Sequence, residues 1–92
     1  MTVSQQPDEA DPGTSTATLY DAFLATANQL IARYSHLAES ATTEHDHDAW
    51  WRRSMQVRDD RQAVPAHDRA QLTAHTTLWT TELTKLRANS PS

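Results

Sequence analysis

Two clusters in the sequence hold residue types that could do chemistry. The first is Glu44-His45-Asp46-His47-Asp48. Imidazole and carboxylate together suit zinc, iron, manganese or nickel, and Glu44 with His47 gives the i, i+3 pair used by carboxylate-bridged di-metal bundles. A helix turns by about 100° per residue, however, so His45 and His47 point about 200° apart and cannot ligate one ion together. The acids that an earlier helix could add, Asp21 and Glu39, fall on the polar side of that helix. The segment reads as an acidic first helical turn favoured by the helix dipole, with solvated histidines. No metal site and no cofactor are expected.

The second cluster is Trp50-Trp51-Arg52-Arg53, followed by Met55, Arg58 and Arg61. Aromatic rings interleaved with guanidinium groups can stack bases and grip phosphates, and the same residue types dominate protein–protein contacts. The competing reading keeps one tryptophan in the core, half-covers the other, and pairs the arginines with Asp48, Asp59, Asp60 or an acid of the preceding helix. Helical spacing places Arg52 and Arg53 on a mixed-charge, solvated back with those aspartates. It places Arg58 and Arg61 on the tryptophan side, where a cation needs an anion or an aromatic face. Trp51, Met55, Arg58 and Arg61 are therefore the expected partner-binding residues. Trp50 aligns with Val57 and Val64 and should be the more buried tryptophan, with Trp51 partly exposed and stacked on Arg58.

Catalysis needs a base, a partner and a pocket. The five histidines, His36, His45, His47, His67 and His75, are scattered over different faces, and no Ser-His-Asp arrangement is visible. The one glycine and the absence of cysteine rule out a Gly-rich phosphate loop, a dinucleotide fingerprint, a cysteine nucleophile, a thiolate zinc site and a disulfide scaffold. His75 reads as a partly buried boundary residue. No catalytic residue is expected, and the chain reads as a non-enzyme.

Three helices must position these groups. Residues 1–13 hold two prolines, the one glycine, three acids and almost nothing apolar, and read as a flexible acidic tail. From Thr14 to Val64 there is neither Gly nor Pro. Leu19, Phe23, Leu30, Tyr34 and Leu37 share a stripe that Tyr20, Leu24, Ala27, Ile31 and Ala38 widen to roughly 140°, enough to meet two partner helices. Asp21, Asn28, Ala32, Ser35 and Glu39 lie opposite. This first helix is expected from about Thr16 or Thr18 to Ala41. Continuing its seam would bury Glu44, Asp48 and Arg52, whereas Thr43 suits an N-cap, so the chain should break near residues 42–43. The competing reading is one bent helix running to about residue 63. A second helix follows over about 44–63, and Asp68 with Gln71 resembles a capping box for a third, over about 69–88. There Leu72, Trp79, Leu83 and Leu86 form the stripe, flanked by His75, and Thr73, Thr77, Thr80, Thr81 and Thr84 form an uncharged face.

The fold class expected is therefore all-α, a small antiparallel three-helix bundle in one domain over 14–92. The chain has 92 residues and a net charge of −4; nine of its twelve acids and all eight cations lie from Thr14 on, so that part is close to neutral. This balance argues against a nucleic-acid coat or a polybasic membrane anchor. Helices of about twenty residues are longer than those of a compact helix-turn-helix, and the third is poor in phosphate-binding side chains. No stretch approaches the ~20 apolar residues of a membrane span, and the polar N-terminus lacks a signal-peptide core, which points to a cytoplasmic protein without membrane contact. Seven arginines to one lysine, beside abundant Ala and Thr, suggest a GC-rich bacterial genome. The function expected is that of a small interaction module, an adaptor or regulatory subunit, binding a protein partner or itself as a two-fold homodimer. The runner-up is a small nucleic-acid-binding regulator acting through the Trp/Arg face of the second helix.

Overall fold

The structure, a computed structural model, describes residues 13–89. It contains three helices, α1 (Thr16–Ser40), α2 (Glu44–Ala63) and α3 (Arg69–Ala88), and no strand among the described residues. The expected all-α bundle and its three helices are thus present, and the chain does break between α1 and α2 rather than bending. The expected acidic tail falls on residues 1–12, outside the described ones, and on Gly13.

Each helix begins where a short polar side chain can take an otherwise unpaired backbone N–H. Ser15 accepts from Thr18 N at 3.0 Å, Thr43 Oγ1 from Asp46 N at 3.1 Å, and Asp68 Oδ1 from Gln71 N at 3.1 Å. Gln71 Nε2 also donates to Asp68 Oδ2 at 2.8 Å, so the residue that is held also holds its cap. Glu44 and Asp46 occupy the first turn of α2, and Lys85 and Arg87 the last turn of α3, each at the end where the helix dipole favours its charge.

The helices run up, down and up. Ser35 meets Ser54 and Asn28 meets Arg61, which makes α2 antiparallel to α1. Thr16 meets Arg69, Phe23 meets His75 and Tyr34 meets Glu82, so α3 lies parallel to α1. Both outer helices pack on α1, while no Cα of α2 comes within 8 Å of one in α3. The bundle is open on one side, with α1 as its spine.

Burial follows the expected stripes. Phe23, Ala27, Leu30, Ile31, Tyr34 and Ala38 of α1 join Val57 and Val64 on the α2 side and Leu72, Trp79 and Leu83 of α3 in one core. Phe23 sits at its centre, with ring centroids 5.2 Å from Trp79, 6.0 Å from Tyr20 and 6.2 Å from His75. Two residues expected on the polar back of α1 face α2 instead. Ser35 is half-buried, its Oγ 3.4 Å from that of Ser54, and Asn28 accepts from Arg61. Fully buried Ser54 leaves α1 and α2 little side chain to keep apart at this crossing. The threonines of α3 are reconciled with helix by bonding backward: Thr76, Thr81 and Thr84 donate to the carbonyls of Leu72, Thr77 and Thr80.

The two tryptophans of α2 differ as expected. Trp50 is half-buried and stacks on Tyr34 with centroids 5.8 Å apart, whereas Trp51 is 45% exposed. Trp50→Ala is expected to destabilise the chain by about 3 kcal/mol, and Trp51→Ala by less than about 1 kcal/mol. Urea unfolding followed by circular dichroism checks the ordering, which equal losses would contradict.

Candidate functional site

Because α2 and α3 part above α1, they leave a groove of about 330 Å3. Its floor is Leu30 and Tyr34 of α1. One wall is Arg53, Gln56, Val57 and Asp60 of α2, and the other is Leu78, Trp79 and Glu82 of α3. Leu78 is 63% exposed, more than any other large apolar residue of the described chain. It stands about 100° round α3 from Trp79, off the stripe that holds the helix to α1.

A polar network ties the walls together. The Tyr34 hydroxyl donates to Glu82 Oε2 at 2.6 Å, and Arg53 Nη1 approaches the same oxygen at 3.6 Å. The Arg53 guanidinium also lies over the Trp50 ring, 5.3 Å from its centroid. One buried phenol thus touches all three helices through its partners. Burial, followed by the hydrogen bond to Glu82 and its negative charge, pushes the Tyr34 hydroxyl up to about 12, with Arg53 acting the other way. Further along the α2 wall, Gln56 Nε2 donates to Asp60 Oδ1 at 3.0 Å.

Of the four expected partner-binding residues, three share one flank of α2 outside the groove and Arg61 does not. Trp51 and Met55 are exposed, 45% and 41%, and sit one turn apart on the flank of α2 away from the groove. Arg58 is half-buried on that flank, and its Nε is buried without a hydrogen bond among the described residues. Arg61 turns to α1 and donates to Asn28, so it is not grouped with Trp51. The cation stacked on a tryptophan is Arg53 on Trp50, not Arg58 on Trp51. Arg53 is exposed, as expected, and shares its wall with Asp60, but it also faces Glu82 of α3. The groove itself was not legible as a site. Its signals were Leu78, a lone large apolar residue off the α3 stripe, and Glu82, a carboxylate beside that stripe.

Elsewhere, the histidine-rich start of α2 is solvated, with His47 Nδ1 3.2 Å from Asp48 Oδ1. Among the described residues no three His, Asp or Glu side chains group to hold a metal ion. His75 is half-buried as expected, held by its Nδ1 contact with the Gln71 carbonyl at 3.0 Å and edge-on to Trp79. A second cleft of about 410 Å3, on the opposite side of the α1–α3 seam, is lined by Gln29, Ala32, Arg33, His36, Leu83 and Arg87. No helix among the described residues is long and apolar enough to cross a membrane.

The fold and groove together define a small all-α bundle, open between two of its helices, whose exposed apolar surface is bordered by charges. Comparison with protein-family models, with curated proteins and with solved structures finds no match.

The tie at Tyr34 makes stability depend on alkaline pH. A phenol raised above its ordinary 10.0 stabilises the fold while it stays protonated; the contribution is complete below pH 10 and is lost as pH rises toward about 12. Wild type is expected to lose stability across that window and Tyr34→Phe to lose the part due to this phenol. The tyrosinate absorbance of wild type minus that of Tyr34→Phe isolates the group. A difference curve centred near pH 10 would contradict the buried hydrogen bond.

Proposed function

We propose that the chain is a non-enzymatic interaction module, an adaptor or regulatory subunit, that receives a protein segment in the groove between α2 and α3. The observation that carries this reading is the separation of those helices. Each rests on α1, neither covers the other, and an apolar wall with Leu78 exposed is left between them. A groove between helices with an apolar wall is the place where an amphipathic helix docks. The rim charges, Arg53, Asp60 and Glu82, suit the polar border of a protein contact around an apolar centre. Trp51 and Met55 supply a second, smaller apolar patch on the outer flank of α2.

The nucleic-acid reading draws less support. It needs the guanidinium groups of α2 free for phosphate, yet Arg53 faces Glu82 and Arg61 faces Asn28. A bacterial, cytoplasmic setting follows only from composition and belongs to this proposal.

Photo-crosslinking residues placed at Leu78 and Gln56, with Thr77 and Asp21 as positions outside the groove, test the reading in the producing cells. Discrete protein adducts are expected at the groove positions and not at the other two. Adducts of equal yield at all four, or at none, would overturn it.

A further inference from the structure

We infer that the second cleft, between α1 and α3, binds a small organic phosphate whose phosphomonoester group is held between Arg33 and Arg87. The site is separate from the groove and does not depend on what the groove receives.

The lining of this cleft of about 410 Å3 is one-sided in charge. Gln29, Ala32, Arg33 and His36 stand at i, i+3, i+4 and i+7 on one face of α1, and Leu83 and Arg87 at i and i+4 on α3. Guanidinium groups thus enter from both helices, His36 adds an imidazole, and no carboxylate lines the space. The chain has twelve acids to eight Lys and Arg, so a cleft lined by cations alone runs against its overall charge. Arg53, Arg61 and Arg69 each meet an oxygen of another helix. Arg33 and Arg87 form no hydrogen bond or ion pair among the described residues, although Arg33 is half-buried. The dipole of α3 accounts for a cation in its last turn, at Arg87. It gives no account of Arg33, inside α1, where the next acid along the helix, Glu39, is exposed and outside the lining.

The ligand class follows from charge and shape. Arg33 and Arg87 bring two positive charges to one space, and a single dianionic group answers both. A phosphomonoester carries about −1.5 to −2 near neutral pH, on three terminal oxygens. Those oxygens let each planar guanidinium fork form paired N–H···O bonds. A carboxylate or a sulfate ester brings only one charge and leaves one guanidinium unanswered. Gln29 and His36 offer further donors along the α1 wall. Ala32 and Leu83 give an apolar base on which the carbon part of the ligand can lie. The volume falls within the range of small-molecule sites, roughly 300–1,000 Å3.

Isothermal titration calorimetry of the full chain with phenyl phosphate is expected to give one site per chain, with a Kd below about 1 mM, that weakens as salt is raised. Phenyl sulfate, of the same shape but with one charge fewer, should bind at least about tenfold more weakly. Arg33→Gln and Arg87→Gln should each weaken phenyl phosphate binding by about tenfold or more with helicity unchanged. Arg33→Lys, which keeps the charge but loses the fork, should weaken it by less. Arg87 is exposed, so its variant reads binding even where Arg33→Gln unfolds. Arg52→Gln, which removes an exposed arginine of α2, should leave the affinity unchanged. No binding by wild type, equal binding of the two esters, unchanged affinity in Arg87→Gln, or a loss in Arg52→Gln as large as that in Arg87→Gln would each overturn the inference. A phosphoserine peptide that binds more than about tenfold tighter than phenyl phosphate would also overturn it, moving the anion onto a protein.

Discussion

The structure depends on the burial of one wide helical face. The apolar residues of α1 spread over more of its circumference than a single partner can cover, and two helices settle on its two shoulders. A face of that width opposes exposure by about 25 cal/mol for each Å2 removed from water. Phe23 and Leu30 are covered completely or nearly so although the outer helices never meet. The spine therefore fixes the openness. Had its stripe been narrower, both partners would have been drawn to the same side and would have closed on each other.

That geometry puts unusual weight on Tyr34. An open bundle lacks the α2–α3 seam that would keep its outer helices in register, and α2 has little apolar surface with which to grip α1: within the helix only Ser54 and Val57 are buried. Tyr34 compensates from the spine. Its ring stacks on Trp50 of α2 and its hydroxyl reaches Glu82 of α3, whose carboxylate in turn meets Arg53 of α2. A buried phenol without a partner would cost free energy, and so would a carboxylate drawn in from water; each here satisfies the other. The position of α2 is thus specified by polar geometry where apolar area is scarce.

Features set by near neighbours in the chain were legible in the sequence. The helix ends were readable because Ser15, Thr43 and Asp68 cap through residues three positions on, and the break at residues 42–43 because the apolar stripe of α1 stops there. The greater burial of Trp50 followed from its line with Val57 and Val64. What was not legible depends on the directions of the neighbouring helices. A helical wheel orders Arg53, Ser35 and Asn28 round their own axes, but only the angle between α2 and α3 about α1 decides which flank is solvent. With that angle unknown, the approach of exposed Arg53 to Glu82 and the bond of Arg61 to Asn28 could not be read. Leu78 was passed over for the same reason: a leucine off the main stripe acquires meaning only once a wall stands opposite it.

The same separation explains why the groove and the core do not compete for residues. Trp79 and Val57 belong to both, presenting one edge to α1 and another to the groove, and they remain 4% and 5% exposed while lining it. Leu78 belongs to the groove alone, since its position on α3 points away from the spine. A substitution at Leu78 changes the outer rim of the groove without disturbing the burial that orders the fold. The residues that set the separation lie underneath, on α1 and in the Tyr34–Glu82–Arg53 tie, so the width of the groove is coupled to stability while the chemistry of its outer rim is not. The outer rim of such a groove can vary through a few exposed side chains, because the spine and its tie hold the walls in place whichever side chains those walls present.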